Sequence, residues 1–261
     1  MKTPGWILQC CLLSTLSFSA YADSSLSFEL GRWQPDYSGS AGLEGNSATF
    51  DELGYDDFDH DLLIVTLRHP VPLLPNVRFQ TVELESNGVG TPEGDFVISD
   101  GRFTGGFPIT SRVDLSFKDL TFFYSPVNHW IRLDLGLTYR HFDGSIAGNG
   151  FRVALGRRFE TNVDKIVDLE LALIYAAAKI DLPLTEAYVN FTGNFFNYDG
   201  DDVADWTVAA GYTHSFSKVK WSAELGLRIL EITSEDFDND SLNENLDLKM
   251  EGLYLQLGLT F

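Results

Sequence analysis

The residues from Leu253 to Phe261 constrain this chain more than any other stretch. They read Leu-Tyr-Leu-Gln-Leu-Gly-Leu-Thr-Phe. Successive side chains of a strand point to opposite faces. Leu253, Leu255, Leu257, Leu259 and Phe261 therefore share one face, and Tyr254, Gln256, Gly258 and Thr260 share the other. Two architectures use such a strand. A soluble sandwich packs the apolar face on a second sheet and wets the polar one. A membrane barrel gives the apolar face to lipid and the polar face to a lumen.

Recurrence of the pattern favours the barrel. Ile131, Leu133, Leu135, Leu137 and Tyr139 alternate with Arg132, Asp134, Gly136, Thr138 and Arg140. Val167, Leu169, Leu171, Leu173 and Tyr175 oppose Asp168 and Glu170, and Val189, Phe191 and Phe195 oppose Asn190, Thr192 and Asn194. Trp206, Val208, Ala210 and Tyr212 form a further face, as do Trp221, Ala223, Leu225, Leu227 and Ile229 against Glu224 and Arg228. With strands near 26–30, 62–69, 77–84 and 113–124, the count is ten, or eight if two of these are loop segments. Counted with their flanking residues, the ten strands run to roughly 10–14 residues, the length a tilted strand needs to cross a bilayer. The reading is an all-β, transmembrane, antiparallel up-and-down barrel. A last strand ending on an aromatic, Leu253 to Phe261, also resembles the signal by which bacterial outer-membrane barrels are recognised for insertion.

The punctuation agrees with that reading. Pro35-Asp36 is expected to break the first strand. Pro70 to Pro75, Ser125-Pro126, Pro183 and Ser217-Lys218 predict short turns on the periplasmic side. Residues 37–61, 85–111, 143–165, 199–202 and 233–245 predict long outer loops, with a possible hairpin near Phe96–Ile98. Short inner turns and long outer loops are the asymmetry such barrels show. Between Phe117 and Leu120 the apolar parity changes, which predicts a β-bulge. Phe151–Phe159 reads either as a loop hairpin or as an extension of the fifth and sixth strands.

The amino terminus sets the compartment. Lys2 precedes an apolar run from Trp6 to about Phe18, and Ala20-Tyr21-Ala22 supplies small residues for cleavage. Residues 1–22 read as a secretory signal peptide, and 23–261 as the barrel domain. The apolar run falls short of the roughly 20 residues of a spanning helix. Cys10 and Cys11 both lie within it, too early for lipid attachment. The net charge of −20 argues against a nucleic-acid surface, which needs clustered cations. Most of the acid gathers in turn-rich clusters, as expected of solvated loops.

Three segments carry a resemblance. Gly31-Arg-Trp33, the run His69-Pro-Val-Pro-Leu-Leu-Pro-Asn76 and the closing Gly252–Phe261 resemble a family of uncharacterised proteobacterial outer-membrane β-barrel proteins. The resemblance implies a Gram-negative outer membrane and a barrel fold, and supplies no activity or catalytic residue.

Candidate sites follow from strand parity. Glu29, Arg132, Asp134, Arg140, Asp168, Glu170, Glu224 and Arg228 are predicted to line the lumen. A barrel of eight to ten strands has little interior to spare, so these charges can pair and fill it. The function read from this is structural or ligand-binding at the envelope, with a plugged polar lumen and acidic extracellular loops. A narrow channel or side-opening conduit for small or apolar solutes is the alternative, and a lipid hydrolase built on His141, Asp143 and Ser145 the third. Scattered His60, His214 and Ser215 add no constellation, so no enzyme is expected. Phe195, Phe196, Tyr198 and Trp206 read as an outer aromatic girdle. Asp236, Asp238 and Asp240 are spaced like the first ligands of a calcium loop, but Ser241 and Asp247 depart from it; Asp57, Asp59 and Asp61, and Asp199, Asp201 and Asp202, are weaker still. No cofactor and no nucleic-acid partner is expected. The expected partners are outer-membrane lipid, lipopolysaccharide and the barrel-assembly machinery, around a monomer.

Overall fold

The computed structural model describes residues 24–43, 46–55, 59–71, 73–98, 101–234 and 244–261. Fifteen strands and no helix form among them. The first nine are β1 (Ser25–Leu43), β2 (Asn46–Thr49), β3 (His60–Arg68), β4 (Asn76–Val82), β5 (Glu85–Gly90), β6 (Phe96–Ile98), β7 (Gly101–Phe103), β8 (Ile109–Asp114) and β9 (Phe117–Asn128). The remaining six are β10 (Ile131–Ala154), β11 (Arg157–Asp181), β12 (Ala187–Tyr198), β13 (Asp201–Phe216), β14 (Val219–Ser234) and β15 (Glu244–Thr260).

Ten of these close a ring. Antiparallel pairings run β1–β3–β4–β9–β10–β11–β12–β13–β14–β15, and β15 pairs back onto β1. Every edge is thereby satisfied, which is what lets backbone cross a bilayer. The other five strands sit at the long-loop end. There β8 continues the β9 side of the wall against β10 and pairs β5, β2 pairs β1, and β6 pairs β7.

The outside of the ring is a belt of exposed apolar side chains. Every wall strand contributes: Leu30, Leu67, Phe79, Phe122, Leu137, Ile174, Val189, Val208, Leu225 and Leu257. A continuous apolar band of this extent is untenable against water and marks contact with lipid. The chain is an outer-membrane β-barrel.

Partway along each long strand, the two faces exchange polarity. On β15, Leu253 to Leu259 point outward while Tyr254 and Gln256 point inward. Beyond Gly252 the outward positions become Glu251, Lys249 and Asp247, and Met250, Leu248 and Leu246 are buried inside. On β14, outward Leu225 and Leu227 give way to Glu231 and Thr233, while Leu230 and Ile232 turn into the interior. These pairings run without a register shift, so the strand is continuous and only its surroundings change. Below the boundary the wall faces lipid. Above it the wall faces water and encloses an ordinary apolar core, in which Trp33, Phe50, Leu62, Phe117, Phe142 and Leu248 pack together.

Several expectations are corrected by this arrangement. Asp168 and Glu170 face outward, not into the lumen; the Asp168 side chain is 72 % exposed. On β11 the apolar parity switches from Val167, Leu171 and Leu173 inside the outer core to Ile174, Ala176 and Ala178 on the lipid side. The same reversal, rather than a bulge, explains Phe117 to Leu120, where burial alternates regularly. Phe196 packs against the outer core instead of joining a girdle.

Proline placement differs as well. β9 runs through Ser125-Pro126 and the turn falls at His129-Trp130. Ser125 and Pro126 together oppose Asp134 alone, a two-to-one bulge that absorbs the missing N–H. β1 also passes Pro35 without breaking, because its pairing with β3 ends at Trp33 and leaves it paired there only with β15. Residues 143–165 form no loop: β10 and β11 pair without interruption up to a turn at Leu155-Gly156. The expected hairpin at Phe96–Ile98 is present as β6 with β7. The segment read as a signal peptide, residues 1–22, lies outside the described residues.

Candidate functional site: the barrel lumen

The remaining predicted lumen residues, Glu29, Arg132, Asp134, Arg140, Glu224 and Arg228, do face inward. They fall into two layers. The first lies where the polar lumen meets the outer core. Arg140 of β10 donates from Nε and Nη2 to the two carboxylate oxygens of Asp119 on β9, each at 2.8 Å. Its Nη2 also reaches Asp205 of β13 at 2.6 Å. Asp205 accepts two further bonds from Arg228 of β14, at 3.0 and 2.9 Å. The result is a chain of alternating charge, Asp119–Arg140–Asp205–Arg228, that crosses the lumen between strands distant in sequence.

All four side chains are at most 4 % exposed. Planar guanidinium groups suit this task because each binds a carboxylate through two parallel N–H donors. Their faces are used too: Arg140 lies 3.7 Å from the centre of the Phe117 ring and Arg228 lies 5.0 Å from that of Trp33. Below them, Thr121 and Thr138 share a hydrogen bond of 2.7 Å, and Thr138 donates to Asn194 at 2.7 Å.

The second layer surrounds a cavity of about 530 Å³ at the short-turn end. Arg68 donates to both oxygens of Asp134, at 3.3 and 2.6 Å, and Ser125 donates to the same carboxylate at 2.6 Å. Arg132 lies 3.6 Å from Asp134, and its Nε has no hydrogen-bond acceptor. Arg78 donates to Gln80 at 3.1 Å. Tyr188 donates to Glu224 at 2.8 Å, and Lys179 sits 3.5 Å from the centre of the Tyr188 ring. Gly211 is required opposite that ring, because any Cβ there would overlap the phenol.

Above the belt, in the outer core, His60 and Tyr37 share a hydrogen bond of 2.6 Å, and Tyr37 also bonds Ser86. Burial holds His60 down at about 4 and pushes Tyr37 up to about 12. The imidazole is therefore neutral at physiological pH, packed beside Trp33.

The other candidates are scattered over the exterior. His141 points outward, 3.6 Å from Asp168, and its Nδ1 makes no hydrogen bond among the described residues. Asp143 and Ser145 follow on the same outer face of β10, and no hydrogen bond joins Ser145 to His141 among the described residues. His214 pairs with Glu186 at 2.9 Å on the outside of the short-turn end, where Tyr212 also bonds Glu186. Asp59 and Asp61 pair with Arg32 at 3.2 and 3.7 Å. Asp201 accepts from Ser234 at 2.6 Å and Asp202 from Asn197 at 2.9 Å. No cluster of three or more acidic or His side chains able to hold a metal occurs among the described residues. Asp57, Asp236, Asp238 and Asp240 lie outside them. Leu253, Leu255, Leu257, Leu259 and Phe261 are on the lipid side, about half exposed.

Arg68, Arg78, Asp119, Lys179, Tyr188 and Asp205 also face the lumen, beyond the residues that strand parity marks. The signal for Asp205 was available, since it alternates with Trp206 and Val208. Asp119 was obscured by the parity reversal after Phe117.

No protein-family model and no curated protein matches the chain. Among solved structures, the outer-membrane protease OmpT of Escherichia coli is similar over 95% of this chain and 99% of its own, at 12% identity and a TM-score of 0.49. The TodX monoaromatic hydrocarbon channel covers 92% of this chain and 90% of its own at 8% identity, with a TM-score of 0.26. OccK3 of Pseudomonas aeruginosa covers 92% and 96% at 10% identity, with a TM-score of 0.17. These likenesses carry no functional argument.

Proposed function

We propose that this chain is a monomeric, non-conducting outer-membrane barrel that serves a structural or ligand-binding role at the envelope. Its short turns face the periplasm and its acidic outer segments face the lipopolysaccharide. The observation that carries the reading is the buried chain Asp119–Arg140–Asp205–Arg228 with the apolar core stacked beyond it. An ion passing that core would surrender its hydration, at an idealised cost on the order of 20 kcal/mol. Within the charged layer, both carboxylates are already held by guanidinium groups, and Arg140 Nη1 alone of its donors is left without a partner among the described residues. The reading is of a non-enzyme, supported by the separation of His141 from Ser145.

The alternative, a narrow channel, is favoured by one feature, the cavity that occupies the short-turn half of the lumen. Single-channel recording separates the two. The refolded chain, residues 23–261, in lipopolysaccharide-containing planar bilayers is expected to stay silent while migrating as a folded, heat-modifiable barrel. Discrete and reproducible openings from that folded barrel would overturn the sealed reading.

A further inference from the structure

We propose that the inner half of the lumen is a binding site for a small oxyanion, a carboxylate or a phosphate, presented from the short-turn side. The proposal rests on the sealed reading above, since a cavity closed at one end retains a ligand instead of passing it on.

The cavity is about 530 Å³, within the range of small-molecule sites. Its cations are incompletely used. Arg68 and Arg228 are the exceptions, held through two bonds each by Asp134 and Asp205. That leaves Asp134, which also accepts from Ser125, with little to offer Arg132, whose Nε is buried without an acceptor. Arg78 donates only to the neutral Gln80, and no carboxylate lies within ion-pair distance of it among the described residues. Lys179 rests on the Tyr188 ring and is 3.7 Å from Asp181 at the mouth.

The carboxylates around the same space do not cancel this. Glu224 is occupied by the Tyr188 hydroxyl. Glu29 enters from β1 and has no ion pair among the described residues, and Asp181 at the mouth is shared with Lys179. A chain of net charge −20 has thus gathered cationic donors from β4, β10 and β11 around one space. Unfilled guanidinium N–H pairs match two oxygens of a carboxylate or phosphate, and the Lys179 ammonium adds a point charge beside them. Buried donors of this kind cost free energy until an acceptor meets them.

Titration of the refolded chain in detergent micelles tests this, with inorganic phosphate followed by ³¹P linewidth and acetate followed by calorimetry. One saturable site is expected for at least one probe, and the two arms tell which oxyanion geometry it prefers. Arg132→Gln should weaken binding at least tenfold, and Arg78→Gln likewise. Arg32→Gln, which alters an exterior guanidinium, should leave it unchanged. If either lumen variant fails to give a heat-modifiable barrel, Lys179→Gln supplies the same reading. Absence of saturable binding by the folded barrel, or equal binding by the lumen variants, would overturn the site. A barrel that is silent in bilayers yet binds neither probe keeps its seal and loses the site; one that conducts and binds keeps the site and loses the seal.

Discussion

Arg140 is fully buried, and its guanidinium bridges Asp119 and Asp205. Removing it strands Asp119 in a place water does not reach and leaves Asp205 to Arg228 alone. Arg140→Ala should therefore destabilise the barrel by about 3–5 kcal/mol. Arg132→Ala should cost far less, since Arg132 borders the open cavity and Asp134 keeps Arg68. Urea unfolding midpoints in lipid vesicles compare the two; equal losses would mean the layers are not distinct. His60 makes a pH prediction. Its folded value of about 4 lies below the ordinary 6.5 because burial disfavours the cation. Between those values the unfolded chain binds the extra proton. Stability should rise with pH across that window and be flat above it, by up to about 3 kcal/mol for a shift of this size. His60→Gln should abolish that slope in unfolding midpoints taken from pH 4 to 7.

At the scale of elements, the reversal of polarity along β11 makes a sharp claim. Single cysteines at Asp168 and Glu170 should react with a membrane-impermeant maleimide, whereas cysteines at Ile174 and Ala176 should be shielded by lipid. The opposite pattern would restore the lumen assignment that simple alternation suggested. The turn at the top of β10 and β11 makes another. Leu155 and Gly156 both have positive φ, 52° and 71°. That geometry favours Asn-Gly and is strained for leucine. Leu155 is fully exposed and loses no packing on replacement, so Leu155→Asn should raise stability by about 0.5–1 kcal/mol. Gly252 is the converse case. Any Cβ there would overlap the Gln34 carbonyl oxygen across the β1–β15 ladder, so Gly252→Val should impair closure of the ring. Alternation in these elements was legible from Ile131–Arg140 or Leu253–Phe261 alone. Which alternation met lipid was not, because Leu173 inside the outer core and Ile174 in the bilayer are neighbours of identical character.

At the scale of the whole molecule, the barrel joins two solvent regimes in one continuous wall. The inner half is polar inside and apolar outside; the outer half is the reverse, with its own core of Trp33, Phe117, Phe142 and Leu248. Closure depends on the last strand, whose end bonds the first through Leu26 and Phe261. Deleting Phe261 should slow assembly in membranes carrying the barrel-assembly machinery, read as a smaller heat-modifiable fraction; an unchanged fraction would remove the insertion role proposed for the terminal aromatic. The sequence by itself determined the class of fold and the alternation along its strands, because a period of two is written in consecutive residues. Tertiary structure alone decided the height at which those faces exchange polarity and the pairing of Arg140 with Asp205. Residues 65 apart in the chain meet only through the register of a closed ring.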